Sequence, residues 1–423
     1  MMGERENSIN ESIDVELNGA SLPYVWRSEN GSAPPSKIQN IDDTCTADQA
    51  LKLARAGTSL VWRGDFQNAK LLLQAMSRRI DKQFKTKSSV KSLNPNSHLR
   101  SLLNVSSNPI TKSSLAKSFE AFRDHQKNRA QVLGQLLIPV NRGHKIELKR
   151  APDVTQACTQ AYGQNSPPYV VSLRELQGVI GAFEWRKKGV VIDLTSVGQD
   201  TFKITPHFGV FSPIRGEYLK LVASTPLPKA LERSPSSSVA FDIGTGSGVL
   251  AIILAKRGVR SIVATDQSPR AVVCAQANVD DHQMQSSIMV QQTTFFPVQA
   301  EGKERQMASL IVCNPPWLPA PSSAAVDSAV YDPNSQMLKG FLDQLCKHLL
   351  PQGEGWLILS DLAEHLGLRS RQDLLQWIEE AGLVVLGRHD IRPEHKKASN
   401  LSDPFYLARS SEVTSLWRLA AKA

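Results

Sequence analysis

The stretch at residues 239–250, Val-Ala-Phe-Asp-Ile-Gly-Thr-Gly-Ser-Gly-Val-Leu, constrains the fold more than any other part of this chain. A short apolar run ends in Asp242, glycines alternate with other residues over 244–248, and an apolar run with helical character continues to Ala255. The pattern predicts a strand, a tight turn and a helix, because glycine lets the backbone bend sharply and leaves no β-carbon between the turn and a ligand. The spacing departs from the dinucleotide pattern Gly-x-Gly-x-x-Gly. On its own, the turn also fits a plain strand–helix connection in a doubly wound sheet.

Two further stretches have the same form, a short strand that ends in a polar residue. Residues 261–266 end in Asp266, which lies 18 residues beyond Gly248. A doubly wound fold places a carboxylate at about this distance, on the hydroxyls of a ribose. Residues 310–317 form a third apolar strand that runs into Asn314-Pro315-Pro316-Trp317. The order and separation of the three stretches argue against a chance assembly.

Together these stretches resemble the class I S-adenosylmethionine-dependent methyltransferases. More narrowly, they resemble the N-methyltransferases with an (Asn/Asp)-Pro-Pro-(Phe/Tyr/Trp) motif after strand four. That group includes adenine-N6 DNA, guanine-N2 ribosomal RNA and release-factor glutamine methyltransferases. The resemblance covers residues 204–420, about half of the chain. It implies S-adenosylmethionine as cofactor. It also implies an α/β fold with a Rossmann-like, doubly wound sheet of seven strands. The alternating strand and helix patterns agree with a mostly parallel sheet.

The segment at residues 208–218 precedes the first strand of the predicted sheet. It resembles the part of the glutamine and guanine-N2 methyltransferases that covers the cofactor. Arg215 and Glu217 are candidates for this lid. A surface ion pair at the start of a helix is the alternative interpretation of these two residues.

Ligands of open α/β sheets lie at the carboxyl ends of the strands, and this rule brings Asp242, Gly244, Asp266 and Asn314 together. The resemblance implies that Asp266 accepts hydrogen bonds from the ribose hydroxyls and that the glycines approach the methionine portion of the cofactor. Asp242 either holds a turn amide or faces the amino-acid end of the cofactor, and a purely structural acid is the alternative. The implied cofactor-binding residues are Asp242, Gly244, Thr245, Gly246, Gly248, Asp266, Gln267, Thr294 and Asn314.

One position departs from the resembled families, which place an acid before a Phe-Pro-like segment to contact the adenine amino group. This chain reads Gln-Gln-Thr-Thr-Phe-Phe-Pro over residues 291–297, so Thr294 occupies the position of the acid. A hydroxyl also accepts a hydrogen bond. We expect the loss of a charge-assisted contact to weaken cofactor binding by about 1 kcal/mol.

The predicted catalytic residues are Asn314, Pro315, Pro316 and Trp317. A nitrogen conjugated to a ring or a carbonyl is a poor nucleophile because its lone pair is delocalised. The side-chain oxygen of Asn314 and the carbonyl of Pro315 can each accept one N–H, which directs the lone pair at the methyl group of the cofactor. The prolines fix the backbone and donate nothing, while Trp317 offers a face for stacking. Alignment and electrostatics then supply most of the acceleration. A proline-rich turn after a buried strand is the alternative interpretation.

The net charge of +9 is unevenly distributed along the chain. Residues 51–150 contain 20 lysines and arginines but five acidic residues, a local net charge of +15, whereas the rest of the chain is mildly acidic. Such an asymmetry is typical of nucleic-acid binding and favours RNA as the partner. A solvated helical surface explains the same charge without a ligand.

The N-terminal domain is predicted to be mainly α-helical. Residues 1–44 are expected to form a flexible tail, followed by a basic helical domain over 45–139 with a disordered-looking insertion near 85–118. Helical spacing predicts one helix from the N-cap Thr46 to Val61, interrupted at Gly57, and others over 65–84 and 115–137. A small α/β connecting region at 140–216 and a methyltransferase domain at 217–423 complete the predicted order.

Several classes of protein do not fit this sequence. No apolar run reaches the ~18 residues of a membrane span, and the polar N-terminus does not resemble a secretory signal. Five scattered cysteines without Cys-x-x-Cys spacing favour a reducing cytoplasm over a disulfide framework. Cys313 is expected to be a buried apolar residue. No metal site is predicted, because neither His207 nor the group of Asp361, Glu364 and His365 has ligand spacing.

These observations predict an S-adenosylmethionine-dependent N-methyltransferase whose acceptor is a planar nitrogen on ribosomal or transfer RNA. A protein glutamine amide is the alternative acceptor, and the motif also fits a DNA adenine. Two further alternatives are a binding protein that keeps the fold without the reaction and a nucleotide-dependent oxidoreductase, which the glycine spacing disfavours. The sequence leaves the acceptor and the oligomeric state open.

Overall fold

The computed structural model describes residues 12–17, 20–29, 31–87, 112–214, 216–233, 238–299, 305–321, 329–393, 400 and 403–422. The chain divides into two compact units. The first comprises Met1–Ser92 and Ser118–Glu184, and the second comprises Leu93–Lys117 and Trp185–Ala423. None of the helices in the described ranges is long and apolar enough to cross a membrane.

The first unit contains a mixed sheet of six strands among its described residues. The strands are β1 (Ser12–Leu17), β2 (Ala20–Arg27), β3 (Ile38–Ile41), β4 (Ser59–Trp62), β5 (Leu136–Val140) and β6 (Tyr169–Ser172). Their spatial order is β1-β2-β6-β5-β4-β3, with antiparallel pairing in β1–β2 and β5–β6 and parallel pairing elsewhere. Every residue of β4 and β5 is buried, as expected for inner strands that are apolar on both faces.

The helices of this half are α1 (Ala47–Arg55), α2 (Phe66–Lys87), α3 (Lys112–Leu133), α4 (Thr155–Tyr162) and α5 (Leu173–Lys188). Thr46 is the N-cap of α1, as predicted, and forms a capping box with Gln49. The predicted amphipathic helix at 65–84 corresponds to α2. Its buried residues recur at helical spacing and include Ala69, Leu73, Met76 and Ile80.

The prediction of a mainly α-helical N-terminal domain missed its sheet, because residues 45–139 contain α1, α2 and α3 but also β4 and most of β5. The predicted tail at residues 1–44 contains β1, β2 and β3, and Val61, predicted at the end of a helix, lies in β4. The strands are stabilised because Val15 and Tyr24 bury their side chains in one hydrophobic cluster with Val61 and Leu137. These partners are distant in sequence, so no local pattern reveals them. Most of the predicted insertion at 85–118 lies outside the described residues.

The second unit contains a sheet of seven strands within its described ranges. They are β9 (Ala240–Ile243), β10 (Ile262–Asp266), β11 (Ile288–Gln292), β12 (Ala308–Cys313), β13 (Leu349–Ser360), β14 (Leu383–Ile391) and β15 (Thr414–Ala421). The spatial order is β11-β10-β9-β12-β13-β15-β14. Pairing is parallel from β11 to β13, whereas β15 is antiparallel to both of its neighbours. The predicted doubly wound sheet with an antiparallel terminal hairpin is therefore confirmed.

A separate two-stranded ribbon and eight helices, as far as the structure describes this unit, accompany the sheet. The ribbon pairs β7 (Val190–Ile192) with β8 (Phe202–Ile204). The helices are α6 (Glu217–Ser224), α7 (Lys229–Arg233), α8 (Val249–Lys256), α9 (Pro269–Asp281), α10 (Gln336–Leu345), α11 (Leu362–His365), α12 (Arg371–Glu380) and α13 (Tyr406–Ser410). The compact division falls after Glu184, so the connecting region predicted at 140–216 is split between the two units.

Alternate residues of the central strands enter two different hydrophobic clusters. Ala240, Ile262 and Leu310 belong to one cluster, whereas Phe241 and Ile311 belong to the other. Successive strand side chains point to opposite faces of a sheet, so helices cover both faces, as in a doubly wound fold. The strand order reverses between β10 and β12 on either side of β9. Ligands of such sheets bind at this switch point, beyond the carboxyl ends of the strands.

Candidate active site

The turn after β9 is built from three glycines with left-handed backbones. Their φ angles are 71° at Gly244, 56° at Gly246 and 82° at Gly248. Residues with a β-carbon rarely adopt this region. The amides of Gly244 and Thr245 both donate to the Thr265 carbonyl at 2.9 Å, which fastens the turn to the end of β10. The predicted strand–turn–helix is therefore present.

A β-carbon on two of these glycines would also make close contacts with other atoms. A β-carbon on Gly244 would meet Met337 Cε at 2.7 Å, and one on Gly248 would meet the Ala275 backbone at 3.3 Å. The side chain of Met337, on α10, therefore lies directly against the turn. Nothing in the sequence pattern indicated this methionine.

Asp242, the last polar residue of β9, is completely buried. Its Oδ2 accepts hydrogen bonds from Thr245 Oγ1 at 2.6 Å and from the Ala251 amide at 3.1 Å. Its Oδ1 is buried and has no hydrogen-bond partner in the described part of the chain. Burial raises the pKa of this carboxyl to about 6. The structure thus supports the turn-holding role for one oxygen and leaves the other oxygen available.

Asp266 ends β10 and holds the same turn from the neighbouring strand. Its carboxylate accepts hydrogen bonds from the Gly246 amide at 3.0 Å and from the Ser268 amide at 2.9 Å. Burial raises its pKa, an effect that these backbone hydrogen bonds oppose. Ser268 is the N-cap of α9, so strand, turn and helix start are fixed by a single carboxylate.

Asn314 immediately follows β12, the strand on the other side of β9. The Trp317 indole Nε1 donates a 2.9 Å hydrogen bond to Asn314 Oδ1. The Trp317 ring is partly buried and packs against both hydrophobic clusters. It meets the Tyr218 ring edge to face, with centroids 6.5 Å apart and planes at 89°. The four-residue motif is therefore a packed, hydrogen-bonded structure.

Helix α6 brings two residues of the predicted lid to the same region. Glu217 is buried, and its Oε1 has no hydrogen-bond partner among the described residues. The pKa of Tyr218 is raised by burial first, and then by the negative charges of Asp242 and Glu217. Arg215 lies outside the described residues. Tyr218 has no counterpart in the sequence-based prediction, although an aromatic residue within the lid segment was a usable signal.

The last two predicted cofactor residues lie at the rim of the site. Gln267 and Thr294 are both exposed. The Gln267 carbonyl faces Gln292 Nε2 at 3.5 Å, and Thr294 follows β11, the edge strand of the sheet. The structure brings the glycine turn, both aspartates and Asn314 together at one sheet edge, and it sets Thr294 beside them on the exposed side.

The residues predicted to lack a catalytic role have ordinary structural surroundings. Cys313 is fully buried, and burial raises the pKa of its thiol well above the usual value. Asp361 pairs with His365 at 3.3 Å, and Glu364 pairs with Arg371 at 2.8 Å. The described residues contain no group of side chains suited to hold a metal ion.

Comparisons with known proteins place the match on this half of the chain. Residues 229–315 match the family model described as ribosomal protein L11 methyltransferase (PrmA). A release factor glutamine methyltransferase of Geobacter sulfurreducens is 34% identical over 112 residues, which cover 26% of this chain and 37% of that protein. A ribosomal protein L11 methyltransferase of Bacillus cereus is 30% identical over 160 residues, which cover 34% and 48%.

A solved structure also aligns with the chain. It is the ribosomal protein L11 methylase from Lactobacillus delbrueckii subsp. bulgaricus, with a TM-score of 0.34 and 20% identity, over 55% of this chain and 100% of that chain. The chain spans less than half the length of either curated relative named above, with 37% and 48% covered.

The residues matched by the family model include the glycine turn, Asp266 and Asn314. They lie at the switch point of a sheet whose last strand pair is the antiparallel hairpin expected of a class I methyltransferase. The second unit therefore has the sheet topology expected of a class I methyltransferase, and part of it is similar to methyltransferases. That class takes S-adenosylmethionine as its methyl donor.

Proposed function

We propose that this protein is an S-adenosylmethionine-dependent N-methyltransferase that acts on a planar amino or amide nitrogen. The observation that carries the proposal is the position of Asn314. Its side-chain oxygen stands at the carboxyl end of β12, next to β9 and its glycine turn. In class I folds the methyl donor lies over the turn. A hydrogen-bond-accepting oxygen after β12 therefore faces the place where methyl transfer occurs.

The buried polar atoms of the site fit S-adenosylmethionine. Asp242 Oδ1 and Glu217 Oε1 are buried acceptors without partners in the described ranges, and an isolated buried carboxylate oxygen is costly until a donor satisfies it. The methionine end of the cofactor carries an ammonium group, which supplies such donors. Asp266 keeps lone pairs beyond its two backbone bonds, which suits ribose hydroxyls. These residues would hold the cofactor, which supplies an electrophilic methyl group on a sulfonium.

The residues of the motif would orient the acceptor. Asn314 Oδ1 would accept a hydrogen bond from one N–H of the substrate nitrogen that is methylated. The carbonyl of buried Pro315 would accept a hydrogen bond from the second N–H. The nitrogen lone pair then lies perpendicular to these bonds, toward the methyl group. Alignment of this kind supplies much of the rate in a displacement reaction. Trp317 and Tyr218 close the side of the site with aromatic surface, which limits access of water.

We propose a protein side-chain amide as the acceptor. The two relatives described above are named for protein substrates, a release factor and ribosomal protein L11. Both align with part of this chain only. The relatives suggest a protein substrate, and the planar nitrogen is proposed from the Asn-Pro-Pro-Trp motif and from the glutamine in the name of the first relative.

RNA is the second candidate, because residues 51–150 carry a net charge of +15. Three arginines of this segment form ion pairs in the first unit, two of them with acids that the net charge already counts and one with Asp48 outside the segment. Arg79 pairs with Asp48 at 2.8 Å, Arg129 with Asp81 at 2.9 Å, and Arg150 with Asp65 at 2.6 Å. The pairing therefore lowers the positive charge of the segment by only one beyond the value given, and the preference for a protein acceptor rests on the substrates for which the relatives are named.

The deciding experiment supplies purified protein with methyl-labelled S-adenosylmethionine and a cell extract divided into RNase-, DNase- and protease-treated portions. Asn314→Ala is the blank. Label that is lost only after protease supports a protein acceptor, and label lost only after RNase supports RNA. Label lost only after DNase would move the acceptor to a DNA base. Binding of S-adenosylmethionine without transfer above the blank in any portion would contradict the proposal.

A further inference from the structure

We infer that Trp317 is a positioning residue whose indole N–H fixes the orientation of the Asn314 carboxamide. The inference rests on the proposed function. It gives Trp317 a role in addition to stacking, which is to orient the side chain of Asn314. Its basis is the 2.9 Å hydrogen bond from Trp317 Nε1 to Asn314 Oδ1.

A carboxamide has two ends with opposite hydrogen-bonding character. The oxygen only accepts, and the nitrogen only donates. A flip of the Asn314 amide would turn its NH₂ group toward the Trp317 N–H and set two donors against each other. The same flip would turn the NH₂ group of Asn314 toward the N–H groups of the substrate nitrogen, so that donors would again face donors. The indole therefore selects the one amide orientation that accepts.

The hydrogen bond leaves the oxygen free for its catalytic task. A carbonyl oxygen has two lone pairs, and Trp317 uses one of them. The second lone pair remains for an N–H of the acceptor. An oxygen that already accepts from the indole is also held at a fixed place before the acceptor arrives, which lowers the entropy cost of alignment.

The packing of Trp317 keeps its N–H directed at Asn314. Its ring is partly buried against both hydrophobic clusters of the sheet, and Tyr218 supports it edge to face at 6.5 Å. An indole N–H lies on the side of the ring system, whereas phenylalanine has no donor there and tyrosine carries its hydroxyl at the far end of its ring. The tryptophan at this position therefore supplies a donor that other aromatic residues do not place.

The test compares Trp317→Phe in two backgrounds, the natural Asn314 and Asn314→Asp. A carboxylate has two equivalent acceptor oxygens, so its orientation does not matter. Labelled methyl transfer is measured with the extract portion that takes up label. In the Asn314 background, we expect Trp317→Phe to lower kcat about 10-fold, the loss expected for one hydrogen bond, with KM for S-adenosylmethionine unchanged.

In the Asn314→Asp background, we expect the same change at Trp317 to alter kcat by less than about 2-fold. A loss of equal size in both backgrounds would overturn the inference, because it would assign the effect to packing or stacking. Complete inactivity of Asn314→Asp alone would also overturn it, because the inference requires only an acceptor oxygen at this place.

A second measurement separates this inference from the proposed function. In protein labelled with ¹⁵N-tryptophan, the Trp317 indole resonance is identified by its absence in Trp317→Phe. We expect Asn314→Ala to shift this resonance and to speed its hydrogen exchange. An unchanged resonance would overturn the hydrogen bond itself. If the resonance responds but the wild-type protein transfers no label to any extract portion, the proposed function fails while the hydrogen bond stands, and the positioning role falls with the function.

Discussion

Thr245 Oγ1 donates a 2.6 Å hydrogen bond to Oδ2 of Asp242, while Oδ1 of the same carboxylate is buried without a partner in the described ranges. Burial raises the folded-state pKa to about 6, from 3.8 for an unperturbed carboxyl. The folded state therefore binds more protons than the unfolded state between these values. Stability contributed by this group falls as the pH rises through this window and is constant above it.

We expect Asp242→Asn to stabilise the cofactor-free protein at neutral pH. The neutral amide avoids the cost of a buried charge, which amounts to about 3 kcal/mol above pH 6 at 1.36 kcal/mol per pKa unit. The gain should shrink as the pH falls from 7 toward 4. Calorimetric melting across this range checks the prediction, with the exposed Asp343→Asn as control. A gain that does not depend on pH would contradict the assigned cause.

Cofactor binding should depend on pH in the opposite direction. An ammonium group bound at Asp242 prefers the ionised carboxylate, so the dissociation constant of S-adenosylhomocysteine should rise as the pH falls below about 6. The product carries the same ammonium as the cofactor and does not react. Titration calorimetry between pH 5 and 8 measures the effect. Asp242→Asn should bind more weakly and with a flatter pH profile, and an identical slope in both proteins would rule out Asp242 as the group that titrates.

Gly248→Ala should destabilise the protein more than Gly244→Ala does. Both glycines have left-handed backbones, so each substitution adds strain of about 1 kcal/mol. At Gly244 the neighbour within 2.7 Å is the flexible end of Met337, which can move. At Gly248 the neighbour at 3.3 Å is the backbone of Ala275, which cannot.

The matched control for these variants is Gly387→Ala, whose β-carbon would meet nothing within 4 Å. Thermal midpoints without ligand should follow the order Gly387→Ala, Gly244→Ala, Gly248→Ala, from highest to lowest. Gly244→Ala should nevertheless weaken S-adenosylhomocysteine binding, because the new methyl group occupies the surface of the turn. The reverse order of midpoints would show that the contact with Ala275 is not limiting.

The sheet of the second unit could be predicted from the sequence because the patterns that indicate its strands are local. Asp242, Asp266 and Asn314 each follow a short apolar run, and parallel strands bring such ends to one edge. The order of strand and helix patterns fixed the sheet type in the same way. The contacts that complete the site are not local. Met337 reaches the turn from α10, and Tyr218 reaches Trp317 from α6, through packing that no periodicity encodes.

The sheet of the first unit was not predicted, because its strand pairing is not local in sequence. It joins β2 to β6 and β4 to β5 across long stretches of chain. Strands of four to eight residues give weak alternation signals, while the amphipathic helices α1 and α2 give strong ones. The helices were therefore recognised, and the sheet on which this unit is built was not. The orientation of Asn314 was also beyond the sequence, because it depends on a side-chain hydrogen bond.

The last prediction concerns the ion pair that links β13 to β15. Arg418 donates from Nη2 to Glu354 Oε1 at 2.6 Å and from Nε to Oε2 at 2.8 Å, and Trp356 Nε1 donates to the same carboxylate at 3.0 Å. Glu354 is buried, and this hydrogen bonding raises the pKa of Arg418. Three donors therefore depend on one carboxylate.

Glu354→Ala should destabilise the second unit by about 3 kcal/mol, because removal of one partner leaves a half-buried cation and an indole N–H without an acceptor. The matched control is Glu379→Gln, which removes an exposed pair with Lys422 at 3.8 Å and should cost less than about 0.5 kcal/mol. Calorimetric unfolding of both variants measures the difference. Similar small shifts for the two variants would contradict the prediction, because they would mean that water replaces the lost carboxylate beside Arg418 and Trp356.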